Sequence, residues 1–388
     1  MLSHIHDWLE LLFRWGHFIT GVAWIGASFY FNWLENQLDR AAQRNKDNIA
    51  GHLWAIHGGG FYYLEKFKVA PDKLPETLHW FKWEAYFTWI TGMVLLVLVY
   101  YMGAESYLVD PRVADISVPM AVTIGLGTLG LSWVVYDQLC KSPLGERPAA
   151  LSALIALLLV LLSLLMTQLY GGRGAFIHVG AAIGTIMVAN VFFVIIPNQR
   201  DLVDAVKEGR EPDGTKGKAG LIRSRHNNYL TLPVLFIMIS NHYPSTYAHE
   251  WNWVVLILIM AAGVAIRHYF NVRHRPEKKV WILPVGAVLL LGAFFLSMPE
   301  QRAVVIGDLD DPVDTEVVWE IAENRCLACH AAEVGQGGIA FEDRGELERQ
   351  AGSIARVVEN RSMPPGNATD MTDEERGQVV RWYQQLDE

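Results

Sequence analysis

The sequence predicts an all-α protein made of a polytopic membrane helix bundle with eight spans and a small helical domain outside the membrane. Hydrophobic residues make up 52% of the 388 residues and charged residues only 19%, whereas soluble domains are about a quarter charged. Residues 300–388 carry 20 acidic and 8 basic residues, and residues 1–299 carry 21 acidic and 24 basic residues. Two regions that face different solvents therefore share one chain.

Eight candidate spans follow from apolar stretches of about 20 residues, the length that crosses a bilayer. They cover residues 9–34, 84–103, 118–139, 149–170, 175–197, 228–243, 251–270 and 280–298. The sixth is the weakest, because its apolar run is short and contains Pro233, which predicts a kinked or re-entrant helix. Without this segment the count is seven.

Lys and Arg in the connections predict the orientation, because cytoplasmic loops retain positive charge. Basic residues concentrate in loops 36–82, 198–227 and 271–279, and the intervening loops 104–117, 171–174 and 244–250 hold one at most. Eight spans with both termini outside satisfy every loop, whereas seven would place two successive loops on the wrong side. The first apolar stretch lacks a small-residue cleavage site, so we expect it to remain as a span.

A small domain over residues 315–388 is predicted after an acidic, proline-containing linker over residues 300–314. It opens with Cys326-Leu327-Ala328-Cys329-His330, the pattern of covalent haem attachment. The two thiols bind the vinyl groups of haem c, and His330 is placed as an axial ligand of the iron. A redox thiol pair is the alternative, but such pairs normally lie in a thioredoxin-like βαβ setting, which is missing here.

The second axial ligand is predicted to be Met363, in the stretch Ser362-Met363-Pro364-Pro365-Gly366-Asn367. Successive prolines stiffen the backbone, and a Met thioether raises the potential of a haem iron. Met371 is the competitor, and packing in the core explains it better. A last helix, Thr372 to Leu386, opens with a capping box. These helices around one haem are expected to form a small class I cytochrome c domain.

The compartment follows from two independent observations. Haem is attached to cytochrome c thiols outside the bacterial inner membrane, and the basic loops place the C-terminus on that same side. We therefore expect a multi-pass inner-membrane protein, surrounded by lipids, with its N-terminus and cytochrome domain in the periplasm. Nucleic-acid binding is disfavoured, because neither a basic face with interleaved aromatics nor a finger spacing is present.

Ionisable residues inside spans are costly, so they predict functional sites. His17 in the first span and His178 in the fifth lie at similar depth near the outer face. Gly21 and Gly26 leave room beside His17 for another helix or a flat cofactor. His17 and His178 are therefore the candidate ligands of a non-covalent haem b, although any single histidine near a span end can also be only an interfacial side chain.

Several segments together resemble one family. They are Trp15 to Trp33, His57 to Tyr62, Val191 to Arg200, Arg225 to Pro244 and the C-terminal haem motif. The chain resembles, over essentially its whole length, the bacterial membrane-bound urate oxidases (urate hydroxylases), which fuse a membrane domain to cytochrome c. The resemblance implies oxidation of urate to 5-hydroxyisourate, with electrons leaving through the cytochrome to a downstream cytochrome or terminal oxidase. No hydrogen peroxide then needs to form.

Urate is a planar monoanion rimmed by amide groups, so its site needs a cation, an amide, an aromatic plane and a base. Such side chains gather at the predicted cytoplasmic ends of the spans: Tyr136, Asp137, Asn198, Gln199, Arg200, His226 and Asn227. Of these, Asp137, Arg200, His226 and Asn227 are the catalytic candidates. The same residues would also cluster if they only anchored the helix ends.

Two rival functions remain open from the sequence. One is a non-catalytic electron conduit, in which a quinol or a partner dehydrogenase reduces the cytochrome through the membrane part. The other is a transporter that carries a redox sensor. Reduction of the haem by added urate distinguishes the enzyme from both alternatives.

Overall fold

The computed structural model describes residues 2–41, 48–274, 279–298, 304–307, 311–331, 339–364, 367 and 369–386. It is mostly helical, as the sequence predicts. The helices of the N-terminal part are α1 (Leu2–Gln37), α2 (Trp83–Leu95), α3 (Ala104–Tyr107), α4 (Val118–Lys141), α5 (Pro148–Thr167), α6 (Gly172–Ala189), α7 (Ile196–Lys207), α8 (Gly214–Ser240), α9 (Asn252–Val272) and α10 (Ile282–Leu296). A π-helical segment, Leu96–Tyr101, extends α2, and a second, Asn190–Ile195, joins α6 to α7.

Helices occupy all eight predicted span segments. Among the described residues, five helical stretches are long and apolar enough to cross a membrane: Trp83–Tyr101, Val118–Lys141, Pro148–Thr167, Gly172–Lys207 and Asn252–Val272. Helix α10 is apolar but shorter, whereas α1 and α8 are long and more polar. These helices are compatible with a membrane protein, and the count of eight spans stays a prediction.

Helix α6 forms the centre of the bundle, where it contacts α4, α5 and α8. All residues from Gly174 to Gly180 are buried. A Cβ atom at Gly180 would lie only 2.5 Å from Cγ2 of Ile237, so glycine permits the close approach of α6 and α8. Helix α1 packs along α2 at the side of this core.

The all-α prediction missed a β-hairpin within the predicted cytoplasmic loop 36–82. Strand β1 (Ile49–His57) pairs antiparallel with β2 (Gly60–Phe67). The turn depends on Gly58 and Gly59, whose φ angles of +57° and +81° suit glycine. Apolar side chains point to both faces of this exposed hairpin rather than to one. The sequence therefore lacks the alternation of apolar and polar residues that indicates a strand.

The carboxy-terminal module, as we name residues 311–386, is a separate helical unit. Its helices are α11 (Thr315–Arg325), α12 (Leu327–His330), α13 (Arg344–Arg349), α14 (Ala351–Glu359) and α15 (Asp373–Leu386). Its core includes Val318, Leu347 and Trp382. The predicted capping box is present: Thr372 Oγ1 accepts from the backbone N–H of Glu375, and the Glu375 carboxylate accepts from that of Thr372.

Part of the predicted linker packs on this module. Residues 304–307 lie against α15, where a Cβ atom at Gly377 would be 2.2 Å from the carbonyl oxygen of Val305. Glycine at this position therefore allows the backbone to lie directly on the helix. Residues 300–303 and 308–310 of the predicted linker lie outside the described residues.

Candidate redox and substrate sites

One pocket in the carboxy-terminal module gathers the residues predicted to hold haem c. Its walls include Cys326, Cys329, His330 and Met363, together with Met371. Helices α13 and α14 precede Met363 and reverse the direction of the chain, so that Met363 lies beside the haem-attachment motif. The space between these side chains is about 40 Å³. The donor set thus fits a haem, although the side chains have to move apart to admit a porphyrin.

The orientation of His330 suits an iron ligand. Its Nδ1 lies 3.0 Å from the carbonyl oxygen of Ile339. Because a carbonyl only accepts hydrogen bonds, Nδ1 carries the proton and Nε2 keeps its lone pair. Metal-bound histidines are usually oriented by this kind of second hydrogen bond.

The two thiols do not have the character of a redox pair. Burial, with smaller contributions from Cys329 and Glu375, raises the pKa of Cys326 to about 11. Burial also raises the pKa of Cys329, and the guanidinium of Arg173 partly offsets this effect. Redox and catalytic cysteines have lowered pKa values, so these raised values argue against a reactive thiolate at either position.

A buried arginine positions the loop that carries Met363. The Nη1 atom of Arg376 donates to the carbonyl oxygens of Met363, at 2.7 Å, and Val358, at 3.1 Å. Its Nη2 atom donates to Oδ1 of Asn367 at 2.8 Å. Sequence reasoning missed Arg376, because a single arginine in a polar helix gives no signal of burial. Met371 is only 2% exposed and belongs to the module core.

A second group of polar residues lies at the predicted cytoplasmic ends of α4 and α6 and within α8. We call it the inner polar cluster, and it consists of Tyr136, Asp137, Asn190, Arg223, His226 and Asn227. The buried guanidinium of Arg223 donates to Asp137 Oδ1 at 2.7 Å and to Asn190 Oδ1 at 3.1 Å. The amide of Asn190 donates to Oδ1 of Asn227 at 2.8 Å. The members of the cluster are therefore paired largely with one another.

The edge of this cluster includes an imidazole and carries excess positive charge. Nδ1 of His226 lies 2.7 Å from the hydroxyl of Tyr136. The exposed Lys141 pairs with the second carboxylate oxygen of Asp137 at 2.6 Å. Two cations therefore surround one carboxylate, which leaves one unit of positive charge available to an anionic ligand. The cluster also includes Asn190, the first residue of a π-helical segment, a feature frequent at functional sites.

Three of the four predicted catalytic residues come together here. Asp137, His226 and Asn227 belong to the cluster, whereas Arg200 is exposed on α7 and takes no part in it. Arg223 supplies the guanidinium instead. Arg223 precedes His226 by three residues and Asn227 by four, so all three lie on the same side of α8. This helical spacing could have identified Arg223 from the sequence.

A cavity between α1, α2, α6 and α8, which we call the outer cavity, measures about 590 Å³. Its walls are mainly apolar, and the exceptions include His17, Arg173 and His242. Nδ1 of His17 lies 2.9 Å from the carbonyl oxygen of Thr88 and 3.1 Å from the hydroxyl of Thr91.

His178 does not line the outer cavity. It is completely buried, with Nδ1 2.8 Å from the carbonyl oxygen of Gly174 and Nε2 3.2 Å from the hydroxyl of Tyr101. A Cβ atom at Gly125 would lie 2.6 Å from its Nε2. The ring therefore faces α4 and the end of α2, so the structure does not bring His17 and His178 to one cofactor site.

Comparison with known proteins identifies a family but no individual relative. No curated protein and no solved structure matches the chain. The family described as urate oxidase N-terminal matches residues 3–298, which are about three quarters of the sequence and include α1 to α10. The chain therefore belongs to the urate oxidase N-terminal family.

Proposed function

We propose that the protein oxidises urate in its N-terminal helical part and passes the electrons to a haem bound covalently by Cys326 and Cys329. Membership of the urate oxidase family supports urate as the substrate. The electron route rests on one observation: both thiols, His330 and Met363 line a single pocket. When bound there, a c-type haem supplies a one-electron acceptor near the surface of the protein.

The reaction balances without oxygen. Urate takes the oxygen atom of one water molecule and releases two electrons and two protons, which gives 5-hydroxyisourate. The electrons continue to a downstream cytochrome or terminal oxidase, and no hydrogen peroxide forms. Because the covalent haem accepts one electron at a time, each turnover requires two successive transfers.

The inner polar cluster is the proposed urate site. Arg223 and the excess positive charge attract the urate anion, and the amides of Asn190 and Asn227 match its carbonyl and N–H edges. His226 is the proposed proton acceptor, since its Nδ1 already lies 2.7 Å from a hydroxyl. Substrate binding then exchanges hydrogen bonds within the cluster for hydrogen bonds to urate.

The proposed setting is a bacterial inner membrane with eight spans and both termini in the periplasm. The five long apolar helices and the basic loops on one side support this arrangement. The urate site then faces the cytoplasmic ends of α4 and α6, and the carboxy-terminal module faces the periplasm.

The test adds urate to purified, oxidised full-length protein without oxygen and follows the visible absorption of the covalent haem. We expect urate to reduce the haem, with 5-hydroxyisourate as the first product. His226→Gln should abolish this reduction, and His57→Gln, at an exposed histidine of the hairpin, should not. A haem that is reduced by quinol but never by urate would support the electron-conduit function instead.

A further inference from the structure

The outer cavity connects the two proposed sites. At one end its wall includes Met187, whose carbonyl oxygen accepts a hydrogen bond of 2.8 Å from Asn227 of the inner polar cluster. At the other end its wall includes Arg173, two residues after Gly171, where a Cβ atom would lie 3.4 Å from Cβ of Asp110. Asp110 pairs with Arg112, which donates to the carbonyl oxygen of Asn367 in the carboxy-terminal module. Arg173 and Met187 are separated by 14 residues of α6, roughly 21 Å at 1.5 Å per residue. The cavity therefore extends along α6 from the inner polar cluster toward the carboxy-terminal module, the direction in which the electrons are proposed to move.

Of the two histidines in the cavity wall, His17 and His242, the first has a tautomer that its hydrogen bond defines. The carbonyl of Thr88 can only accept a hydrogen bond, so Nδ1 of His17 carries the proton and Nε2 keeps its lone pair. An Nε2 lone pair can bind a metal ion, and the carbonyl at Nδ1 is the usual orienting partner of such a histidine. A neutral His17 of this tautomer cannot donate from Nε2 to the carbonyl of a quinone.

The shape of the cavity suits a large planar group. Its walls are mostly apolar, and small residues open the space beside α2 and α6. The ring of His17 packs against Gly92, where a Cβ atom would lie 3.0 Å from its Cε1. A Cβ atom at Gly184 would meet no atom within 4 Å, so that part of the cavity is open.

The charge at the outer end of the cavity favours an anionic substituent. Arg14 is paired with Glu10, but Arg173 has no salt bridge among the described residues, and the ionisable groups around it are tyrosines. The Nε atom of Arg173 is buried, and no described residue forms a hydrogen bond with it. Its guanidinium lies over the ring of Tyr107, 4.3 Å from the ring centre. A carboxylate at the cavity mouth would pair with this guanidinium.

We infer that the outer cavity binds a non-covalent haem b, which Nε2 of His17 would hold through the iron and Arg173 through a propionate. A haem held there would supply a one-electron carrier between the inner polar cluster and the carboxy-terminal module, since haem iron accepts and releases single electrons. His178 takes no part. The inference depends on the proposed function only for the origin of the electrons.

The test measures haem content rather than activity. Full-length protein from a host that matures c-type haem is extracted with acidic acetone, and both fractions are measured as pyridine haemochromes. We expect one extractable haem b for each covalent haem. His17→Ala should lose the extractable haem and keep the covalent one, and added imidazole should restore the absorption of the bound haem b.

Two further variants keep the test independent of folding defects. Gly184→Phe fills the open part of the cavity and should exclude haem b while the covalent haem remains. His178→Gln should retain haem b, which separates His17 from the other buried histidine. Active protein with covalent haem alone would overturn the inference while leaving urate oxidation intact. Extraction of a quinone in place of haem would overturn it equally.

Discussion

The Nη1 atom of Arg112 donates a hydrogen bond of 2.8 Å to the backbone carbonyl oxygen of Asn367. Arg112 lies between α3 and α4, whereas Asn367 lies in the loop that follows Met363. The same guanidinium pairs with Asp110 at 2.8 Å and lies 3.5 Å from the carboxylate of Asp370. This contact ties the methionine loop to the helical bundle near the outer end of the cavity.

Replacing Arg112 with Gln is expected to slow the urate-driven reduction of the covalent haem without changing its absorption spectrum. The docking contact weakens, but neither iron ligand is altered. Exposed ion pairs contribute roughly 0.2–1 kcal/mol, so the slowing should be modest. It should shrink at high ionic strength, because salt also weakens this contact in the unmodified protein. Rapid-mixing absorption measurements without oxygen determine the rate. Arg344→Gln, at an exposed arginine paired with Glu316 inside the module, is the matched control and should leave the rate unchanged.

Replacing Met363 with Ala should leave haem attachment intact, lower the reduction potential and open the iron to added ligands such as cyanide. Met371→Ala should do none of these. It should instead destabilise the module by about 2–5 kcal/mol, because Met371 is buried in its core. Redox titration and thermal unfolding separate the two effects. A fall in potential in the Met371 variant alone would show that the ligand assignment is wrong.

Replacing Asp137 with Asn is expected to destabilise the helical part by about 3–5 kcal/mol, since Arg223 would remain buried without its counter-charge. Lys141→Ala removes the exposed partner of the same carboxylate and should cost only about 0–1 kcal/mol. Thermal unfolding in detergent compares the two variants. Equal stability of both would mean that the buried pair does not hold the helices together.

The haem-free protein should lose stability at alkaline pH. Burial raises the pKa of the Cys326 thiol from its ordinary value of 9.0 to about 11. The unfolded chain therefore releases this proton first, and the stabilisation is complete below pH 9 and lost as pH rises through about 11. At about 1.4 kcal/mol per pKa unit, the loss is on the order of 2–3 kcal/mol. Denaturant unfolding at several pH values measures it, and attachment of haem to the thiol should remove the effect.

The eight-span topology gives clear expectations for reporter fusions. Fusions at residues 110 and 245 should report the periplasm, and fusions at residues 60, 144 and 212 should report the cytoplasm. The fusion at 245 decides whether α8, with Pro233 inside it, crosses the membrane. A cytoplasmic result there would reduce the count to seven.

The sequence by itself located the apolar helices and the last helix, because apolar stretches of span length and a capping box can be recognised from the order of the residues. It also predicted the haem-attachment motif, since Cys326, Cys329 and His330 are neighbours in the chain. The hairpin was missed because exposed strands with apolar residues on both faces lack the usual alternation.

Only the tertiary structure decided which distant residues meet. The sequence predicts similar membrane depths for His17 and His178. The rotation of α6 nevertheless turns the ring of His178 toward α4 and away from the outer cavity. Likewise Arg223, rather than Arg200, reaches Asp137. Span length determines the depth of a residue in the membrane, but the packing of neighbouring helices determines the direction in which its side chain points.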